Sequence, residues 1–180
     1  RHRMKLAGRW ILITGASSGF GAAAARKFAE EGCHLILGAR RDERLADAAA
    51  AARAAGAASV HHHSLDVART AAVEAFLDWV RSITPRIDVL INNAGAFFTT
   101  RQETREGIEQ TWALNHLSPF LLTRDLLPLL RAGNAPRVVT VASAAHMMGR
   151  VRLDDPEFRR GYGGWAAYSQ SKLANILFAR

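Results

Sequence analysis

Cysteine, proline and long apolar runs are all scarce in this chain. A single cysteine, Cys33, among 180 residues excludes an internal disulfide framework and fits a reducing compartment. We therefore predict a cytoplasmic protein in which Cys33 is a packed small residue rather than a nucleophile. No apolar run is long enough to cross a bilayer. Residues 1–5 are not followed by the apolar core of a signal peptide, and Met4 is a candidate natural start.

Acidic residues are also in deficit. The 16 Asp and Glu residues against 24 Lys and Arg leave a net charge of +8, which invites a nucleic-acid partner. The arginines are dispersed, however, and no basic run is interleaved with aromatic residues, as nucleic-acid binding requires. We therefore predict no nucleic-acid partner. The positive charge has another explanation, since a basic surface attracts a polyanionic nucleotide equally well.

The triplet His61–His63 raises the alternative of a metal site. Consecutive residues of a strand point to opposite faces, so the three side chains cannot converge on one ion unaided. No cysteine or second histidine cluster has a matching spacing. The sequence therefore predicts no metal and favours a surface strand end.

Half of the chain is hydrophobic, 49% of 180 residues, which is enough for one domain with its own core. Apolar runs that read as buried strands alternate with segments of helical pattern. The predicted strands are Trp10–Thr14, His34–Ala39, Ser59–Leu65, Ile87–Ile91 and Arg137–Ala142. The predicted helices are Ala22–Glu31, Asp42–Ala55, Thr70–Ile83, Glu106–Leu130 with prolines 119 and 128 bending or shortening it, and Ala166–Arg180. This alternation predicts an α/β fold, a Rossmann-type doubly wound parallel sheet in a single domain, 1–180.

A glycine-rich turn, Thr14-Gly-Ala-Ser-Ser-Gly-Phe-Gly21, joins the first strand to the first helix. Glycines allow a tight turn and a close approach of the backbone to phosphates, and a helix N-terminus supplies free N–H groups. The spacing G-x-x-x-G-x-G differs from the usual G-x-G-x-x-G, and an ordinary helix-capping turn is the alternative. The strand before the turn and the helix after it favour a dinucleotide pyrophosphate site.

Tyr168 and Lys172 form a Y-x-x-x-K pair on the last predicted helix. Residues at i and i+4 leave the same helix face, and an ammonium beside a phenol stabilises the phenolate. The pair is therefore a candidate proton donor to a carbonyl. The pair alone is weak evidence, because Tyr and Lys also meet at this spacing on solvated helix faces.

Taken in order, these motifs resemble the short-chain dehydrogenase/reductase family over nearly the whole chain. The segments that carry the resemblance are the turn at 14–21, Leu65–Val67, the N-N-A-G motif at Asn92–Gly95, Asn115, Ser143, and the pair Tyr168 and Lys172. Phe20 replaces the commoner Ile or Leu, and Ala142 stands where a second Ser is frequent.

A finer resemblance is to the retinol dehydrogenase-like branch of that family. It is carried by Asn115–Thr123, Ala145-His146, Ser171–Asn175 and the interval of 25 residues between Ser143 and Tyr168. Ser118-Pro119 departs from the Gly-His usual in that branch. Because the branch acts on varied aldehydes, ketones and alcohols, the resemblance does not identify a substrate.

The resemblance implies a role for each catalytic residue. Tyr168 donates a proton to the carbonyl oxygen or accepts one from the alcohol, and Ser143 hydrogen-bonds the same oxygen. Lys172 supports the phenolate and holds the nicotinamide ribose, and Asn115 supports a water that returns the proton. The residues predicted to bind the cofactor are Thr14, Gly15, Ser17, Ser18, Gly19, Phe20, Gly21, Arg40, Arg41, Asp66, Val67, Asn93, Ala94, Gly95, Tyr168 and Lys172.

The end of the second predicted strand bears on the choice of cofactor. An NAD site places an acid there for the ribose 2′-hydroxyl, whereas this chain has Ala39-Arg40-Arg41. Two guanidiniums are suited to a 2′-phosphate, and Ser18 is a further hydroxyl donor, so we predict NADP (NADPH). The alternative is that both arginines cap a solvated helix start.

The sequence thus favours an NADP-dependent oxidoreductase of a small-molecule carbonyl or alcohol. A non-catalytic NADP-binding sensor or partner module, and an epimerase or dehydratase of nucleotide sugars, are the competing classes; a homo-oligomer stays open. The family continues, by resemblance, with a sixth strand, a substrate-covering helix and a last strand. Since the chain ends at Arg180, the resemblance implies a sheet lacking its last strands and an incomplete catalytic unit.

Overall fold

The structure is a computed structural model that describes residues 6–179. The features inferred for residues 1–5, and Arg180 at the end of the last predicted helix, lie outside the described residues. Five parallel strands form one sheet: β1 Trp10–Thr14, β2 His34–Ala39, β3 Ser59–Ser64, β4 Val89–Asn92 and β5 Arg137–Thr140. Their order, β3-β2-β1-β4-β5, reverses direction of winding between β1 and β4. This is the Rossmann-type doubly wound arrangement, and the predicted α/β fold class is confirmed.

Helices connect the strands on both faces of the sheet. The long ones are α1 Gly19–Glu30, α2 Asp42–Ala54, α3 Thr70–Ile83 and α7 Gly164–Phe178. Between β4 and β5 lie α4 Gln110–Trp112, a π-helical segment Ala113–Leu117, α5 Ser118–Asp125 and α6 Leu127–Arg131. A 3₁₀ helix, Ala144–Met148, follows β5.

Two apolar cores lie on opposite faces of the sheet, because successive strand residues point to opposite sides. On β1, Ile11 and Ile13 belong to the core beneath α1 and α2, whereas Leu12 belongs to the core beneath α3 and α5. Strands buried on both faces read as continuous apolar runs, which is why the sequence pattern located them to within two residues.

The prediction of one helix over Glu106–Leu130 is wrong in its start and in its continuity, whereas the expected shortening at the two prolines is found. Helical structure begins only at Gln110, because the buried Glu109 carboxylate accepts hydrogen bonds from the N–H groups of Thr111 at 2.8 Å and Trp112 at 2.7 Å. Further along, two prolines lie in the first turns of α5 and α6, where a missing N–H is tolerated. The region is therefore four short helical pieces.

Two smaller differences concern the helices that flank the site. The first helix begins at Gly19 rather than Ala22, so the last two glycines of the turn lie in its first turn. The helix that carries Tyr168 and Lys172, α7, begins at Gly164 rather than Ala166.

The histidine triplet lies on β3, at one edge of the sheet. His61 stacks on Trp10, with ring centroids 5.8 Å apart, and His63 lies 4.9 Å from Trp79. Within residues 6–179, no three His, Cys, Asp or Glu side chains are grouped so as to hold a metal ion. In the same range no helix combines the length and apolarity needed to span a membrane. The cytoplasmic location stays a prediction.

Cys33 is fully buried in the core beneath α1 and α2, as expected of a packed small residue. Burial is the main reason that the pKa of its thiol is raised to about 11, with the charge of Glu31 adding to the shift. A thiol that stays protonated is a poor nucleophile.

We therefore expect Cys33 to resist a thiol reagent at pH 8 in the folded protein. The measurement is reaction with Ellman's reagent over an hour, with a urea-unfolded sample as the control that reacts stoichiometrically. Rapid labelling of the folded chain would contradict the burial of this side chain.

Candidate active site

A cleft of about 650 Å³ opens at the carboxyl ends of β1, β4 and β5. This is the point where the winding of the sheet reverses, and ligands of doubly wound sheets bind there. Twenty residues line the cleft: Gly15, Ser17, Ser18, Phe20, Ala39, Arg40, Arg41, Leu65, Val67, Asn93, Ala94, Gly95, Ala96, Phe97, Leu114, Val141, Ala142, Ser143, Tyr168 and Lys172. The topology thus brings together residues from the whole length of the chain.

The glycine turn forms one end of the cleft. Gly15 has φ +66° and Gly19 has φ +55°, a left-handed backbone conformation that residues with a Cβ atom disfavour. Gly21 is required for a different reason: a Cβ there would lie 2.3 Å from the Gly15 carbonyl oxygen and 2.6 Å from Asn93 Nδ2. No side chain caps the N-terminus of α1 at Ser18, so its first N–H groups face the cleft as an anion site does.

We expect Gly21→Ala to disturb this turn, because the added methyl meets backbone and the turn must shift. Overpacking of this kind costs about 1–3 kcal/mol of stability. The measurement is thermal unfolding together with NADPH titration by fluorescence. Gly163→Ala is the matched control, since its Cβ would meet only Ala166 Cβ at 3.7 Å. Equal behaviour of the two variants would contradict the close packing at Gly21.

The wall at the end of β2, next to the glycine turn, is basic. Arg40 and Arg41 are exposed and line the cleft. Arg41 Nη2 donates to Ser18 Oγ at 2.6 Å and to Ser17 Oγ at 3.2 Å, which holds the guanidinium against the glycine turn. Among the described residues that line the cleft there is no Asp or Glu.

Thr14 and Asn93 join the ends of β1 and β4 beneath the turn. Thr14 Oγ1 accepts the N–H groups of Asn93 and Ala94, each at 3.1 Å. Asn93 Nδ2 donates to the carbonyls of Thr14 and Gly15, at 3.0 and 3.2 Å. Thr14 is buried and its side chain shapes the turn from below rather than lining the cleft.

Several other residues predicted for the site do not line the cleft. Asp66 uses its carboxylate to accept the Ala68 N–H at 3.1 Å, a local turn that carries Val67 into the lining. The predicted site residues outside the lining are Thr14, Gly19, Gly21, Asp66 and Asn115.

Asn115 lies in the π-helical segment and is fully engaged with protein groups. Its Oδ1 accepts the Ala96 N–H at 2.9 Å, and its Nδ2 donates to the Ala96 carbonyl at 2.9 Å. The same nitrogen donates to Ser171 Oγ at 3.1 Å. The amide therefore clamps the backbone next to Gly95, whose Cβ position would lie only 3.2 Å from Asn115 Oδ1.

Ser143, Tyr168 and Lys172 meet in the inner part of the cleft. Lys172 is 5% exposed, its Nζ lies 5.5 Å from the centre of the Tyr168 ring, and it donates to the Val141 carbonyl at 3.1 Å. Burial lowers the pKa of the Lys172 ammonium. Ser143 Oγ accepts the Ala145 N–H at 3.2 Å, which fixes the oxygen and leaves its O–H as a donor.

Sequence reasoning missed two aromatic residues beside Tyr168. Phe97 and Trp165 have ring centroids 5.8 and 6.0 Å from the Tyr168 ring and lie 6.1 Å from each other. Both are about half exposed. Trp165 precedes Tyr168 by one helical turn, a spacing that could have signalled it, whereas Phe97 arrives from the segment after β4. The two rings give the tyrosine an apolar border.

Fold and cleft define a doubly wound α/β protein in which Ser143, Tyr168 and Lys172 line one cleft at the carboxyl ends of the strands. The model of the short chain dehydrogenase family matches residues 9–180, and the chain belongs to that family of oxidoreductases. The likeness to the retinol dehydrogenase-like branch is confirmed by the relatives described next.

Human "Dehydrogenase/reductase SDR family member 13" is 44% identical over 97% of this chain and 47% of its own length. "Retinol dehydrogenase 14" of Mus musculus is 39% identical, over 96% of this chain and 55% of its own length. The chain thus spans about half the length of these curated relatives.

Solved structures show the same fold. A crystal structure of a protein from Mycobacterium paratuberculosis has a TM-score of 0.84 at 40% identity and covers 97% of this chain and 61% of its own. The "RhlG/NADP active-site complex" of Pseudomonas aeruginosa has a TM-score of 0.75 at 30% identity, over 97% of this chain and 64% of its own.

Proposed function

We propose that this chain carries the NADP-binding and proton-donating parts of an oxidoreductase that interconverts a small-molecule carbonyl and its alcohol. The observation that carries the proposal is the single cleft that holds Ser143, Tyr168 and Lys172 at one end and two arginines without a carboxylate at the other. Family membership supports the reaction class, and one structural neighbour was solved with NADP.

The residues of the cleft fit a dinucleotide phosphate. No side chain caps the start of α1 at Ser18, so the first N–H groups of that helix are donors for a pyrophosphate. Arg40, Arg41 and Ser18 form a donor set for a 2′-phosphate, and charge-assisted bonds of this kind are the strong ones. When bound, the nicotinamide supplies the hydride.

The protein's own part in the reaction is to hold and move a proton at the substrate oxygen. Tyr168 donates the proton from its hydroxyl, and Ser143 donates a second hydrogen bond that fixes the oxygen. Lys172 supplies positive charge beside the phenol ring. Since burial lowers the pKa of Lys172, its charged form costs free energy in the cleft, and a neighbouring phenolate offsets that cost.

The two aromatic neighbours indicate where the rest of the substrate lies. Phe97 and Trp165 border Tyr168 on the open side, so an apolar group attached to the carbonyl carbon packs there. Loss of exposed apolar area contributes about 25 cal/mol per Å². We infer a carbonyl or alcohol with an apolar substituent.

The competing class is a sensor or partner module that binds NADP without catalysis. Such a module needs the glycine turn and the arginines but has no need of a buried lysine beside a tyrosine. The test is NADPH oxidation, followed at 340 nm, by the full-length gene product with a panel of aliphatic and aromatic aldehydes. Turnover supports the enzyme. Tight NADPH binding with no turnover on any aldehyde or ketone would favour the module.

A further inference from the structure

Two residues of the retinol dehydrogenase-like motifs, His116 and Asn175, have no part in the chemistry above. The structure places them in contact with each other, one on the π-helical segment and one on α7. Asn175 is 2% exposed. Its Nδ2 donates to the Asn115 backbone carbonyl at 2.8 Å, and its Oδ1 lies 3.1 Å from His116 Nδ1.

His116 orients the Asn175 amide. Because the amide nitrogen is committed to a carbonyl, the amide oxygen faces the imidazole, and His116 therefore carries its hydrogen on Nδ1 and donates it. The ring is held between Trp112, 4.5 Å away between centroids, and Phe178 at 6.4 Å. Burial lowers the pKa of His116, which favours the neutral imidazole that this arrangement needs.

The Asn115 carbonyl lies in the π-helical segment, where backbone N–H groups bond to carbonyls five residues back. The Ser118 N–H, for example, donates to the Ala113 carbonyl. A buried carbonyl left unpaired costs about 1–3 kcal/mol. The Asn175 side chain supplies a donor to the Asn115 carbonyl at this irregular point of the helix.

The carbonyl and the side chain of Asn115 belong to one residue, so fixing the first restrains the second. That side chain makes both hydrogen bonds to Ala96, a residue that lines the cleft beside Gly95. The path from Asn175 to the cleft is therefore two hydrogen-bonded steps, through Asn115 to Ala96.

We propose that Asn175 is a positioning residue: its amide donates to the Asn115 carbonyl and, through Asn115, holds the Ala96 backbone in place at the cleft floor. His116 sets the direction of that amide. The expected effect on turnover rests on the proposed function, whereas the effect on the backbone does not.

Amide hydrogen exchange of Ala96 tests the backbone part without any activity. Asn175→Leu keeps the volume and removes both bonds, and Asn175→Asp keeps the acceptor for His116 and removes the donor. We expect Ala96 exchange to rise about tenfold or more in each, since a loosened bond opens more often. Leu177→Ala, at a residue 52% exposed on the same helix, should leave it unchanged. If the leucine variant fails to fold, the aspartate variant decides; exchange within twofold of wild type overturns the proposal.

Kinetics separate positioning from a general loss of structure. In both Asn175 variants we expect kcat to fall about tenfold or more, because small misplacements at a reacting centre are costly. The Kd of 2′,5′-ADP, a probe of the arginine end, should stay within about twofold of wild type, because sites without shared partners behave independently. An unchanged kcat overturns the positioning role. If the wild-type protein shows no turnover, the proposed function is contradicted instead. The hydrogen-exchange result then still tests whether Asn175 holds the Ala96 backbone in place.

Discussion

Tyr168→Phe is expected to lower kcat by about a thousandfold while NADPH binding stays near wild type. Proton transfer by a positioned side chain contributes about 10²–10⁴-fold, and phenylalanine keeps the ring but has no proton to give. The ring itself also packs against Phe97 and Trp165, and those contacts survive the change. The measurement is the steady-state rate on the best aldehyde, with fluorescence titration of NADPH.

The chain contains only one other tyrosine, which makes a matched control available. Tyr162 lies outside the cleft lining, and its hydroxyl is shared with Thr111 Oγ1 at 3.0 Å and the Phe98 carbonyl at 3.1 Å. Tyr162→Phe should cost about 1 kcal/mol of stability and leave kcat close to wild type. Turnover of Tyr168→Phe within tenfold of wild type would remove Tyr168 from the role of proton donor.

Arg40→Asp is expected to weaken NADPH binding by more than tenfold and to improve NADH binding. A charge-assisted hydrogen bond contributes about 1.5–3 kcal/mol, and the new carboxylate both repels a 2′-phosphate and accepts from a ribose hydroxyl. Arg41 stays bonded to Ser18, so the glycine turn keeps its neighbour. Dissociation constants for both cofactors, measured by fluorescence titration, give the ratio directly.

Arg44→Asp is the control for the change of charge alone. Arg44 is exposed on α2, one turn further along, and lies outside the cleft lining. Its substitution should change both dissociation constants equally and by little, since exposed charges are screened by salt. If Arg40→Asp behaves as Arg44→Asp does, Arg40 does not contact the cofactor.

The sequence predicted those parts of the fold whose structure depends on local pattern. The buried strands appear in the sequence as apolar runs. The glycine turn is recognisable because positions such as Gly21 have no room for a side chain. The basic character of the β2 end is likewise a property of adjacent residues, Arg40 and Arg41. None of these features needs a distant partner to be recognised.

The failures all involve partners distant in the chain or side chains that replace backbone groups. The predicted helix from 106 to 130 fails because the Glu109 side chain starts the true helix and a π-helical segment interrupts it. The contact of Asn175 with Asn115 joins residues 60 positions apart. Phe97 reaches Tyr168 because the segment after β4 lies beside the first turns of α7, which periodicity along one segment does not reveal.

We propose that this cleft directs hydride from a bound NADPH to a carbonyl carbon. NADPH that carries deuterium at both C4 positions tests this with the full-length gene product and an aromatic aldehyde, by mass spectrometry of the product. We expect the wild-type protein to form an alcohol with one deuterium on the carbinol carbon, and Tyr168→Phe to form about a thousandfold less of it in the same time. An alcohol without deuterium, or no alcohol from a protein that binds NADPH tightly, would contradict the proposal.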